Sequence, residues 1–306
     1  MQHGYDRMRI LNAIVVTLAM SAFATACSSH TSTRIGGETV WIDVAEGQLK
    51  TQVFATANVS VRPILILVLH GDIPNPRPDY QYRFTRAITT GFSEDNEQSA
   101  SLRSALGEKW KNEEIVAAGI LRPGYTDPSG DRSAGDMGMA YGDNYTPEVV
   151  DAVASATGAL KEMSNPRAVV VIGHSGGGAI TANLLGRYPG LVDGALLVGC
   201  GCDPEAWRSR RRVQDPRPIW DQPNPSLMPL SMASRIRQGT LVRLIVGEDD
   251  DVAIPEDSRK YAETLQRRGI DARLTIAPGL GHNILGTPES FRELSSLVQE
   301  VSAHDG

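Results

Sequence analysis

The sequence predicts an α/β fold: a mostly parallel central sheet with helices on both faces and an antiparallel hairpin at its N-terminal edge. Three observations carry this. Six near-continuous apolar runs, "ILILVLHG" (64–71), "EIVAAGILRPG" (114–124), "AVVVIGHSG" (168–176), "GALLVGC" (194–200), "TLVRLIVGED" (240–249) and "ARLTIAPG" (272–279), each stop at glycine or polar residues. Runs without alternation suit strands buried on both faces, which a parallel sheet covered by helices requires. Between the runs lie stretches with helix start and stop signals, and ahead of them two segments alternate apolar and polar residues.

In chain order, the first feature lies outside that fold. Met8 and Arg9 precede a mostly apolar run, Ile10 to Ala26, that ends in "ATAC" and the polar "SSHTST". A charged start, an apolar middle and small residues before the cut make an export signal. With Asn12, Thr17 and Ser21 inside it, the run is short and polar for a spanning helix. Ala24, Thr25, Ala26 and Cys27 resemble the lipobox of bacterial lipoproteins, although leucine is commoner three residues before the cysteine. The resemblance implies a lipid on Cys27 and a place in the bacterial cell envelope, facing the periplasm or exterior. An ordinary cleaved signal and a retained anchor stay open. The expected boundaries are a signal at 1–27, a tether at 28–37 and one domain at 38–306, with Met8 as an alternative start.

Within the domain, "ETVWIDV" (38–44) and "QLKTQVFATA" (48–57) flank the turn "AEGQ" and read as the hairpin. "TPEVVDAVASATGALKEM" opens a helix with Thr146 as N-cap and Pro147 in the first turn. "IPEDSRKYAETLQRRG" stops at Gly269, and "TPESFRELSSLVQEV" repeats the Thr-Pro start at Thr287. Two insertions follow strand ends, where open α/β sheets bind ligands. They are the polar stretch 72–113 and the proline-rich 203–239, the latter a short lid-like or rim segment holding Trp207 and Trp220.

Composition excludes several classes. The chain of 306 residues has 41 % hydrophobic residues and a formal net charge of -6 with the signs mixed, so neither disorder nor a nucleic-acid surface is expected. The basic run Arg208–Arg212 reads as a solvated loop. Of three cysteines, Cys200 and Cys202 stand one residue apart, and both a bridge and two buried thiols stay open. No cluster with metal-ligand spacing is present, so no metal site is expected.

Gly173, His174, Ser175, Gly176 and Gly177 form the pattern G-x-S-x-G, weak alone in a chain with 30 glycines. A buried strand before it and the helical "GGAITANLLGRY" after it supply the setting of a nucleophile elbow. Here the sequence resembles the α/β-hydrolase family, over roughly residues 38–303. The resemblance implies Ser175 as nucleophile, with an acid and then a histidine following in chain order. Of six histidines, His282 in "APGLGHNILG" stands where the family has its base, while His304 lies in the terminal "SAHDG". For the acid, "LIVGEDDDVAIP" offers Asp249, Asp250 and Asp251. The family's G-x-x-D turn selects Asp250, and counting back from Pro255 selects Asp251. The resemblance further implies an oxyanion hole from the N–H of Gly176 and, after the His70-Gly71 turn, the N–H of Asp72, where the family more often has glycine or an apolar residue. "LRPGYTDPSGDRSAGD" (121–136) resembles the family's Arg-Pro-Gly turn, a pocket wall or a structural loop.

The expected function is an exported serine hydrolase that cleaves an ester, thioester or amide through a Ser-Asp-His triad and an acyl-enzyme, without a cofactor. Its substrate would be a small molecule or a peptide. A carboxylesterase comes first, a serine peptidase of the same fold second. The reading from another class is a non-catalytic binding lipoprotein that keeps the scaffold.

Overall fold

The computed structural model describes residues 37–57, 59, 62–72, 78–90, 97–139 and 141–303. The expected signal with Cys27, residues 28–36 of the tether, positions 73–77 and His304 lie outside the described residues.

Among the described residues, eight strands form one sheet: β1 (Glu38–Val44), β2 (Gly47–Ala55), β3 (Ile64–Leu69), β4 (Ile115–Ile120), β5 (Ala168–His174), β6 (Gly194–Val198), β7 (Leu241–Gly247) and β8 (Asp271–Ala277). Their order is β1-β2-β4-β3-β5-β6-β7-β8. β1 and β2 form the antiparallel hairpin, with Val44 opposite Gly47, and β2 meets β4 antiparallel. Every other neighbouring pair is parallel. The sheet is the mostly parallel one that the apolar runs predict.

Period-two alternation within β3 explains why its run is apolar throughout. Leu65, Leu67 and Leu69 point to one face, where they join Val149, Val150 and Val153 of α3 (Pro147–Ser164) and Ile180 and Leu184 of α4 (Gly176–Arg187). Ile64, Ile66 and Val68 point to the other face. They pack with Phe84 and Ile88 of α1 (Tyr80–Thr90), Leu102 and Leu106 of α2 (Glu97–Leu106), and Phe291 and Leu294 of α8 (Pro288–Ala303). Each such side chain contributes about 1.5–3 kcal/mol on full burial.

Helix ends follow their signals. The Thr146 hydroxyl accepts the Val149 N–H, and Asn165 closes α3 with φ 44°. α7 (Pro255–Arg267) stops just before Gly269, whose φ is 77°.

Residues 80–112 differ from the rim expected of an insertion. The described residues among them form α1, α2 and a helical turn at Glu108–Asn112, and the buried Trp110 indole donates to the Ile88 carbonyl at 2.9 Å, so these elements cover one face of the sheet. Polar residues on its outer side had hidden an inner apolar stripe. The segment 203–239 contains α5 (Pro204–Gln214) and the single turn α6 (Pro229–Met232). Its basic run is not uniformly solvated: Arg208 is buried and donates to the carbonyls of Tyr141 at 2.8 Å and Gln222 at 2.9 Å, and Arg210 pairs with Asp257.

β3 pairs with β4 on one side and β5 on the other, so the strand order reverses there. Open α/β sheets bind ligands at the carboxyl ends of the strands flanking such a reversal. Asp72 follows β3 and Ser175 follows β5, which puts both at that crevice.

Candidate active site

β5 ends at His174 and α4 starts at Gly176, so Ser175 alone turns the chain from strand to helix. It does so at φ 53° and ψ −119°. Among the described non-glycine residues, only Asn165 shares a positive φ. Such backbone costs on the order of 1–3 kcal/mol and persists where its surroundings enforce it. The Ser175 N–H donates to the Val198 carbonyl at 2.8 Å, and the Ser175 carbonyl accepts the Gly178 N–H at 2.9 Å. The flanking glycines are required by space. A Cβ on Gly173 would stand 2.3 Å from the Gly177 carbonyl oxygen, and one on Gly177 would stand 2.5 Å from that of His70.

The loop after β8 brings His282 to this serine, with Nε2 2.9 Å from Ser175 Oγ. The other ring nitrogen, Nδ1, lies 2.9 Å from Asp250 Oδ2 and 3.1 Å from Oδ1. A carboxylate accepts only, so Nδ1 carries the proton and Nε2 is left to accept the serine hydroxyl. Asp250 is fixed in turn, because its Oδ1 accepts the N–H groups of Val252 at 2.9 Å and Ala253 at 2.8 Å. Its side chain is fully buried, while Asp249 and Asp251 are exposed. The structure therefore brings one of the three aspartates to His282. Gly199, with φ 51°, leaves room for this pair: a Cβ there would lie 3.3 Å from His282 Nδ1 and from Asp250 Oδ2.

Beside Ser175, where a Cβ on Gly71 would stand 2.8 Å from Ser175 Cβ, the turn after β3 is laced to the stretch after β4. The Arg122 N–H donates to His70 Nε2 at 3.1 Å, and Arg122 Nη1 donates to the His70 carbonyl at 3.0 Å. Arg122 Nη2 makes an ion contact of 2.9 Å with Asp72 Oδ1, close but not aligned as a hydrogen bond. The Tyr145 hydroxyl donates to Asp72 Oδ2 at 2.6 Å. Burial opposes the charge on Arg122, but Tyr125, Asp72 and Tyr145 around it more than offset this and raise its pKa. Burial, followed by the Asp72 charge, pushes the Tyr145 phenol well above its ordinary range, so it stays a donor. The Gly71 N–H is committed to the Tyr80 hydroxyl, which leaves the Asp72 N–H as the next donor along the turn. The first N–H groups of a helix have no intrahelical acceptor, so Gly176 offers another at the start of α4.

Cys200 and Cys202 are buried and joined as a disulfide next to this elbow; a Cβ on Gly178 would lie 3.1 Å from Cys200 Cβ. Among the described residues no group of three His, Cys, Asp or Glu side chains could hold a metal ion. A cavity of about 250 Å³, lined by Arg167, Asp193, Arg237 and Leu241, opens at the other end of the strands, where Arg237 pairs with Asp193.

Sequence reasoning missed four side chains at this site. Tyr80 and Tyr145 lie in stretches with no motif. Arg122 was visible only as part of an Arg-Pro-Gly turn, and His174 only as the unspecified position of the pentapeptide. Apart from Gly71 for Tyr80, the polar partners of these side chains come from elements 50 to 108 residues away in the chain, a separation no local pattern encodes.

Chemically, a serine hydroxyl facing a neutral imidazole that a buried carboxylate orients can be deprotonated as it attacks a carbonyl carbon. Backbone donors beside it can receive the developing oxyanion.

Known proteins share this fold. No curated protein matches the sequence. Among solved structures, Est1E from Butyrivibrio proteoclasticus superposes with a TM-score of 0.57 at 14% identity, covering 87% of this chain and 99% of Est1E. A puromycin hydrolase gives 0.60 at 18% identity over 90% of this chain and 41% of its own. Dipeptidyl peptidase 4 from Porphyromonas gingivalis gives 0.59 at 16% identity over 88% and 36%. The chain thus spans nearly all of the first and about two fifths of the other two. These likenesses show the α/β-hydrolase fold. The sequence model of the prolyl oligopeptidase family matches residues 130–299, a stretch that contains Ser175, Asp250 and His282, and the chain belongs to that family of hydrolases.

Proposed function

We propose that the protein is a serine hydrolase in which Ser175 attacks an ester, thioester or amide carbonyl, His282 moves the proton and Asp250 orients His282. The observation that carries this is the hydrogen-bonded line from Ser175 Oγ through both nitrogens of His282 to a fully buried Asp250, at a serine held in strained backbone. The Ser175 Oγ–H proton passes to His282 Nε2 as Oγ bonds to the carbonyl carbon. The same proton then leaves with the alcohol, thiol or amine. Water resolves the acyl-enzyme by the same route reversed. The N–H groups of Gly176 and Asp72 would hold the oxyanion.

Esters are the first substrate class and peptide amides the second. Near-complete coverage of a compact neighbour favours the first. Family membership favours the second. Stopped-flow turnover of p-nitrophenyl esters with graded acyl chains, beside N-blocked peptide p-nitroanilides, tests the reading. The expected result is a burst of p-nitrophenol equal to the enzyme concentration, followed by slower steady turnover. Turnover of both classes at the buffer rate would refute it.

Export and lipidation at Cys27 belong to the same proposal and rest on the order of charged, apolar and small residues before that cysteine. Metabolic labelling with palmitate in a bacterial host is expected to mark the wild-type chain and not Cys27→Ser. Label that survives in Cys27→Ser would sink this part.

A further inference from the structure

His174, the residue before the nucleophile, is buried at the end of β5 and belongs to neither the nucleophile nor the base. Its two ring nitrogens are both engaged. Nδ1 lies 3.0 Å from the Tyr80 hydroxyl, and Nε2 lies 3.2 Å from the backbone carbonyl of His282. The ring centroids of His174 and His282 are 5.2 Å apart.

Proton directions in this chain have one consistent assignment. The Gly71 N–H can only donate, so the Tyr80 oxygen accepts from it and has its own proton to give to His174 Nδ1. With Nδ1 accepting, the His174 proton sits on Nε2. It is then donated to the His282 carbonyl, which can only accept. The relay is complete when His174 is uncharged. Burial, then the neighbouring His282, lowers the His174 pKa to about 4, in keeping with that state. The titratable and charged groups facing it are Tyr80 from α1, His70 and Asp72 from the turn after β3, and Asp250 and His282 from the loops after β7 and β8.

We infer that His174 is a positioning residue: with Tyr80 it ties the turn at Gly71, the nucleophile strand and the His282 loop together, and so sets the height of the His282 ring over Ser175. This rests on the reading of Ser175 and His282 as nucleophile and base. The hydrogen bond to the His282 carbonyl is made to the same residue whose imidazole must stay within reach of Ser175 Oγ. A loss of register there would leave substrate binding intact and slow the proton transfer. A misplacement of about 1 Å at a reacting group can cost about 100-fold in rate.

The test uses the full-length chain and three variants, with kcat and KM measured on p-nitrophenyl acetate per site titrated by a fluorophosphonate. His174→Leu keeps the apolar packing but loses both hydrogen bonds, and kcat is expected to fall about 10- to 100-fold with KM within about twofold. In His174→Gln the amide nitrogen can stand in for Nε2 as donor to the His282 carbonyl, and kcat is expected to recover to within about fivefold of wild type. Tyr80→Phe breaks the far end of the relay, and kcat is expected to fall by about 3- to 10-fold. A His174 with only a structural role would lower the unfolding temperature and leave kcat per titrated site unchanged, which overturns the inference. If His174→Leu does not fold, wild-type kcat in Tyr80→Phe overturns it equally. Failure of the underlying reading is recognised separately, because the wild-type chain itself would then take no label at Ser175.

Discussion

The carboxylate of Asp72 lies against Gly176: a Cβ placed on Gly176 would stand 2.4 Å from Asp72 Oδ1 and 2.6 Å from its carboxyl carbon. Arg122 and Tyr145 hold that carboxylate, so it has little freedom to yield. Gly176→Ala is therefore expected to push Asp72 and its turn away from the elbow. We expect a loss of about 100- to 1000-fold in kcat, the range seen when one oxyanion donor is removed, with a stability cost of about 1–3 kcal/mol. Steady-state kinetics and urea unfolding check it, and unchanged kcat would mean that Asp72 and Gly176 do not frame the oxyanion.

The three consecutive aspartates should behave unequally. Asp250→Asn leaves the shape intact but removes the charge that orients His282, with an expected loss in kcat on the order of 10³- to 10⁴-fold. Asp249→Asn and Asp251→Asn alter exposed side chains and should stay within about twofold of wild type. Near-full turnover in Asp250→Asn would remove it from the proposed triad.

Lys50 is a structural counterpart to the site. Its buried ammonium contacts Asp127 at 2.5 Å, Asp131 at 2.6 Å and Ser129 at 3.0 Å, pinning the loop that follows Arg122. Burial opposes ionisation of Asp127, but Lys50 and Ser129 more than offset it and lower its pKa. Lys50→Met strands that carboxylate and is expected to cost about 3–5 kcal/mol in urea unfolding. In the wild type, a depressed carboxylate contributes stability that is present above its ordinary value of 3.8 and lost as pH falls through the folded value. Lys50→Met should lose this acid sensitivity together with the stability.

Acid stability should also report His174. Its ordinary pKa is 6.5 and its folded value about 4. The unfolded chain therefore takes up a proton between those values while the folded chain does not. Stability is full above 6.5 and falls on acidification towards 4, by about 3 kcal/mol for this group. His70, lowered by burial and Arg122, adds to the same slope. Chemical unfolding at pH 7 and pH 5 should show a shallower pH dependence in His174→Gln than in wild type. Equal slopes would place the effect elsewhere.

The sheet was legible because its strands are buried on both faces, which writes a near-continuous apolar run into each of β3 to β7, with Arg243 the one charged residue inside β7. The runs extended past the strands, since the turn residues that carry the site begin where the ladder stops: β3 ends at Leu69 and the run at Gly71. Ser175 and His282 could be picked out because a sharp turn needs glycines around it and because few histidines compete in the second half of the chain. Asp250 was harder, because chain position alone does not tell which of three neighbours turns inward. Two backbone N–H groups folding over its Oδ1 decide that. Arg122 and Tyr145 act on Asp72 from 50 and 73 residues away, so only the folded sheet brings their chemistry together.

The central claim is that Ser175 is a nucleophile activated by His282. The most direct measurement is mass spectrometry of the full-length chain after incubation with a fluorophosphonate. The account predicts one adduct, on the peptide containing Ser175, absent in Ser175→Ala and formed far more slowly in His282→Gln. A folded wild-type chain that stays unlabelled, or an adduct on another residue, would contradict it.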